Sequence, residues 1–138
     1  MRKKVLFICT HNSARSQIAE GLLNYLYGDK YEAFSAGTQP TQVHPYAIKV
    51  MQEIGIDISH HYSKSIQEFV NKEFDYVVTV CDSANETCPI FSNSKIRIHK
   101  SFENPVNFTG SEAEILNNFR KVRDEIKEWI VEFFGRFS

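Results

Sequence analysis

The sequence predicts a single α/β domain, a four-stranded parallel sheet with helices on both faces. Three observations carry that expectation. Four short strand-like runs are present, apolar residues recur at helical spacing between them, and 138 residues suffice for one full core but not for two.

The first strand is Lys4–Ile8, whose Val5-Leu6-Phe7-Ile8 is a continuous apolar run of the kind buried parallel strands show. Ile18, Leu22, Leu23 and Leu26 then repeat at helical spacing, and Gly28 stops that helix. Tyr31–Ser35 is the second strand. Ala47, Ile48, Met51 and Ile54 mark a second helix, stopped by Gly55. Ser65–Asn71 suits a shorter helix, and Phe74–Val80 and Lys95–Ile98 are the remaining strands. The longest helix runs from Ser111 to Phe134, with Ile115, Phe119, Val122, Ile126, Trp129, Ile130 and Phe133 on one stripe. Ser111-Glu112-Ala113-Glu114 fits a capping box at its start. Most of the phenylalanines belong to the core, while Phe133, Phe134 and Phe137 are expected to fray at the tail. Ligands of such sheets bind beyond the carboxyl ends of the strands. Cys9 follows the first strand and Cys81 the third, so both fall on that edge.

Composition narrows the function. Apolar residues make up 42% and charged residues 24% of the chain, ordinary values for a globular protein. A net charge of −1 gives no reason to expect nucleic-acid or membrane partners. No apolar run reaches the roughly 18 residues of a membrane span. Arg2-Lys3-Lys4 is a basic start, but the apolar stretch after it is too short for a signal peptide, and cleavage would cripple the segment that follows. Three cysteines, an odd number, do not read as a secreted disulfide framework. A cytoplasmic protein with catalytic, redox-active or buried thiols is expected, and a monomer.

The segment Cys9-Thr10-His11-Asn12-Ser13-Ala14-Arg15-Ser16 sits where strand turns to helix. The backbone N–H groups of Thr10, His11, Asn12, Ser13, Ala14 and Arg15, with the helix N-terminus, can cradle a tetrahedral oxyanion. Arg15 adds a bidentate fork. The same positive field favours a thiolate at Cys9. Ser16 is placed to cap the helix, and its hydroxyl can also donate to Cys9. A nucleophile beside an anion cradle specifies chemistry rather than binding alone. His11 is expected to face outward.

Cys81 and Cys88 form a second constellation, seven residues apart just after a strand. Their spacing matches no usual zinc signature, and His60 and His61 are expected at the surface or in a loop, so no metal is expected. Were Cys81–Cys88 helical, the two residues would sit about 10.5 Å apart along the axis. A disulfide needs Cα atoms within roughly 7 Å. Bonding them therefore requires the segment to unwind, as a redox switch would. A pair of structural cysteines is the plainer alternative.

The cysteine loop at the start of the chain and the helix after it resemble the low-molecular-weight protein tyrosine phosphatase fold. The chain as a whole is similar to the thioredoxin-coupled arsenate reductases built on it. Val5–Ser16, Ser35-Ala36-Gly37, Gly55-Ile56-Asp57-Ile58-Ser59, Val80–Pro89 and Arg120–Ile126 carry that resemblance. Packing and a solvated charge stripe account for the last of these. The resemblance implies one domain over residues 1–138, arsenate as substrate with phosphate or sulfate as competing anions, and a relay in which Cys9 is the nucleophile and Cys81 and then Cys88 follow. It implies no bound cofactor, reducing equivalents from a thioredoxin-type dithiol protein, and at most weak phosphatase activity. The alternatives are a low-molecular-weight phosphatase and, in another class, a non-catalytic oxyanion-binding or thiol redox-sensor protein.

Two departures from the resembled pattern stand out. The fold's general acid is an Asp immediately before a proline. In Ser101-Phe102-Glu103-Asn104-Pro105 that position is Asn104, which cannot supply a proton. The loss harms ester hydrolysis most, because an alkoxide leaving group needs protonation. Some relatives in the reductase family also bind potassium through residues matching Asn12, Glu20 and Ser35 together with an acidic residue. Here Lys64 stands at the acidic position, so a potassium requirement is not expected. Lys64 is either an exposed loop lysine or an ammonium in the cation's place, holding Glu20 and Asn12.

Overall fold

The computed structural model describes residues 2–82 and 94–137. Its strands are β1 (Lys3–Cys9), β2 (Tyr31–Gly37), β3 (Phe74–Thr79) and β4 (Ser94–His99); its helices are α1 (Arg15–Tyr27), α2 (Pro45–Gln52) and α3 (Glu112–Phe134). The strands form one parallel sheet in the order β2-β1-β3-β4. Central β1 carries the continuous apolar run, and Val5 to Ile8 are all fully buried.

Alternation along β1 divides the core. Val5 and Phe7 pack with Ile18, Leu22 and Leu23 of α1, Val50 and Met51 of α2, and Phe119, Val122, Ile126 and Ile130 of α3. Leu6 and Ile8 pack on the opposite face with Ala36, Phe74, Val77 and Phe69. Helical cover is therefore unequal. The three α-helices lie over one face, and among the described residues a single 3₁₀ turn, Ile66–Phe69, covers the other. The shorter helix expected at Ser65–Asn71 is this turn, with Ser65 capping it through a bond from Gln67 N–H.

Helix ends follow local chemistry. The Ser111 and Glu114 capping box is present at the start of α3. Gly55 adopts φ +83°, the left-handed turn that lets Ile56 N–H return to Met51 C=O after α2. Phe134 does not fray. It is fully buried, with edge-on contacts to Phe7, Tyr31 and Tyr76, so the end of α3 closes the core under β1. Arg123, expected on a solvated stripe, is also buried. It donates to Val50 C=O at 2.8 Å and to Glu53 at 3.0 Å, joining α3 to the end of α2.

Candidate active site

β1 ends at Cys9 and α1 begins at Arg15, so the intervening loop lies at the carboxyl edge of the sheet, between strand and helix. Neighbouring segments hold its carbonyls from outside. Thr10 C=O accepts from Gln39 N–H at 2.9 Å, His11 C=O from Thr41 N–H at 3.2 Å and the Ser63 hydroxyl at 2.8 Å, and Ser13 C=O from His44 N–H at 3.0 Å. Ala14 C=O accepts from Ile18 N–H, and Asn12 C=O from the Gln17 side chain. A trans peptide points its N–H opposite its C=O, so these outward carbonyls turn the loop's N–H groups toward the cavity. Asn12 makes the reversal possible with φ +50°, a conformation asparagine tolerates. Gly37 makes room for it: a Cβ there would lie 2.5 Å from Thr10 O and 2.9 Å from Asn12 N.

The cavity so formed measures about 190 Å³ and is lined by Cys9, His11, Ser13, Ala14, Arg15, Thr41, Asn104 and Val106. Cys9 is a free, buried thiol whose Sγ lies 2.9 Å from Ser16 Oγ. Ser16 Oγ also accepts from Asn12 Nδ2 at 2.7 Å, so the hydroxyl proton is left for the sulfur. Arg15 is 2% exposed, and Phe102 C=O accepts from its Nη1 at 3.3 Å. Ser16 is not the helix cap. That position is Ala14, with no side-chain cap, and Ser16 lies inside the first turn. A capping side chain at that position would compete for the first-turn N–H donors.

His11 is half-buried, and its Nδ1 lies 3.1 Å from the C=O of exposed Gln39. Asn104 caps the 3₁₀ turn Pro105–Asn107, accepting from Val106 N–H at 3.2 Å, so an amide occupies the cavity wall where the resembled fold has an acid.

Behind the loop lies a polar network that sequence reasoning only partly found. Asn12 Oδ1 accepts from Lys64 N–H and from Gln17 Nε2, each at 2.8 Å. Gln17 is fully buried and reaches Tyr62 C=O as well. Its Oε1 takes a hydrogen bond of 2.9 Å from His61 Nδ1. His60 is exposed, but the His61 side chain is only 10% exposed, and its Nε2 lies 3.7 Å from Glu20 Oε2. Burial lowers the His61 pKa, against the opposing pull of Glu20. Nothing local in the sequence marks Gln17 or His61 as buried.

Lys64 is not an exposed loop lysine. It is 8% exposed, its ammonium donates to Tyr62 C=O at 2.9 Å, and it stands 3.6 Å from Glu20 Oε1. Glu20 also accepts from the Ser35 hydroxyl. The ammonium stands beside Glu20, which also holds Ser35, whereas Asn12 is held by the Lys64 main-chain N–H and not by the ammonium. The residues present do not fit a potassium ion in addition.

Cys81 follows β3 and is fully buried and disulfide-bonded. Ile8 pairs with Thr79, and Val80 N–H donates to Ile8 C=O at 2.9 Å, which sets Cys81 one residue beyond the level of Cys9 on the neighbouring chain segment. Cys88 lies outside the described residues, as do the geometry and unwinding expected of Cys81–Cys88.

Comparison with known proteins agrees with this geometry. The family described as low molecular weight phosphotyrosine protein phosphatase matches residues 4–137. Arsenate reductase 1 of Staphylococcus epidermidis is 43% identical over 98% of both chains. A solved arsenate reductase in a phosphate-binding state superposes with a TM-score of 0.83 at 34% identity, over 99% of each chain. A thioredoxin-dependent arsenate reductase of Corynebacterium glutamicum superposes with a TM-score of 0.63 at 30% identity, over 94% of this chain and 62% of that one. Loop, sheet order and similarity along the whole chain agree: this protein belongs to the low molecular weight phosphotyrosine protein phosphatase family.

Proposed function

We propose that this protein is an arsenate reductase that works through Cys9, Cys81 and Cys88 and is regenerated by a thioredoxin-type dithiol protein. One observation supports it above the others: the free thiol of Cys9 opens an anion cavity while Cys81 leaves the adjacent strand at nearly the same level. The sequence similarity to arsenate reductases supplies the substrate class.

In the proposed sequence the loop N–H groups and Arg15 hold arsenate, and Cys9 sulfur displaces one arsenate oxygen, which leaves as water, to form a sulfur–arsenic bond. Arsenate brings its own proton to that oxygen, so Asn104 is tolerable. The Cys81 thiolate then attacks Cys9 sulfur. The sulfur–arsenic bond breaks with its electron pair going to arsenic, which falls from the pentavalent to the trivalent state and departs as arsenite. A Cys9–Cys81 disulfide remains. Cys88 attacks Cys81, freeing the Cys9 thiolate and leaving a Cys81–Cys88 disulfide, which the external dithiol reduces at the expense of its own oxidation. Phosphate or sulfate binds the same cradle without a redox step.

The reading takes residues 1–138 as one functional domain acting as a monomer in the reducing cytoplasm, where such dithiols are maintained. Among the described residues no helix is long and apolar enough to cross a membrane. Family membership favours phosphotyrosine hydrolysis as the second reading, and Asn104 at the acid's place weighs against it. Arsenite release that depends on thioredoxin, its reductase and NADPH tests the proposal. Rapid aryl phosphate hydrolysis without arsenite release would support the second reading.

A further inference from the structure

We propose that Lys64 is a positioning residue that supplies from within the chain the positive charge the anion loop requires, so that oxyanion binding is independent of any bound monovalent cation. The inference rests on the reading of the Cys9 loop as an oxyanion site.

Lys64 grips the site at both ends. Its main-chain N–H holds Asn12 Oδ1 at 2.8 Å and its C=O accepts from Gly37 N–H at 2.9 Å, at the two positions where the loop turns back and packs closest. Its ammonium bridges Tyr62 C=O and the Glu20 carboxylate, lying 2.9 Å and 3.6 Å from them, with the Tyr62 ring 4.8 Å away. Glu20 projects from α1, the helix whose first turn carries Arg15 and Ser16. A carboxylate only 13% exposed behind a cavity for anions repels the ligand unless its charge is cancelled nearby. Ser35 contributes a neutral hydroxyl, and burial keeps His61 toward its uncharged form. Among the described residues the ammonium is therefore the charge that cancels Glu20. Without it, the repulsion of the oxyanion by Glu20 increases.

The test is phosphate affinity, read by calorimetry and by protection of Cys9 from iodoacetamide, in choline chloride and potassium chloride at equal ionic strength. The wild-type protein is expected to bind phosphate equally in both salts. Lys64→Met should bind about tenfold more weakly. Lys64→Ala should weaken similarly and recover with propylammonium, which replaces the deleted atoms, but not with tetramethylammonium. Wild-type affinity that rises severalfold with potassium overturns the proposal, as does wild-type affinity in Lys64→Met. Weak binding in both variants with no recovery by propylammonium leaves Lys64 a structural role only and also overturns it. If neither variant folds, the wild-type salt comparison decides alone. Phosphate binding involves no arsenic reduction, so failure here is separable from failure of the reductase reading.

Discussion

The Sγ of Cys9 and the hydroxyl of Ser16 lie 2.9 Å apart, and the same hydroxyl accepts from Asn12 Nδ2 at 2.7 Å. The serine proton is thereby aimed at the sulfur that the account uses as nucleophile. Ser16→Ala should slow alkylation of Cys9 by iodoacetamide about tenfold, in line with the strength of hydrogen bonds to charged groups. An unchanged circular dichroism spectrum would separate this effect from unfolding.

Gly37 is a steric requirement of the loop. A Cβ would meet backbone atoms of Thr10, Asn12 and Cys9 at 2.5, 2.9 and 3.1 Å, none of which can rotate away. Gly37→Ala should cost about 2–3 kcal/mol of stability, as overpacking does. Denaturant unfolding measures that cost, and phosphate titration of the folded fraction should show weakened oxyanion binding.

Asn104 lines the cavity while capping the turn after it. Asn104→Asp keeps the cap, since a carboxylate accepts the same Val106 N–H, and restores a group able to carry a proton. Hydrolysis of an aryl or alkyl phosphate should rise about a hundredfold, most for the poorer leaving group. Arsenite formation should change little, and parallel assays of the two reactions check the contrast.

His44 makes one helix end pH-sensitive. Its Nδ1 accepts from Tyr46 N–H at 3.0 Å at the start of α2, which requires an unprotonated nitrogen, and burial lowers its pKa. With the folded value below the unfolded one, the unfolded state binds more protons between them, so stability falls with falling pH. The loss begins near the unfolded value of about 6.5 and is complete below the folded one. Urea unfolding from pH 8 to 5 should show this decline, and His44→Asn, a cap that does not titrate, should lessen it.

What the sequence made legible was local. Continuous burial of Val5–Ile8, the Ser111 box and the Gly55 stop follow from short-range pattern and backbone chemistry, and the structure has all three. The cysteine loop was readable because strand, turn and helix N-terminus are contiguous. Capping propensity points to Ser16, but the helix begins one residue before it, with Ala14 at the uncapped N-cap beside the Cys9 cavity. The burial of Gln17, Arg123 and Phe134 and the near-burial of the His61 side chain depend on partners tens of residues away, which no local pattern reveals. Lys64 could be framed only as two alternatives, since its ammonium finds Glu20 through the path of a loop that no local pattern fixes.

The most direct test of the three-cysteine account is the number of arsenite molecules released per enzyme by Cys88→Ser, with thioredoxin, its reductase and NADPH supplied in excess. The account predicts a single equivalent, after which the variant stalls as a Cys9–Cys81 disulfide, while the wild-type protein turns over repeatedly. Sustained arsenite production by Cys88→Ser would contradict it.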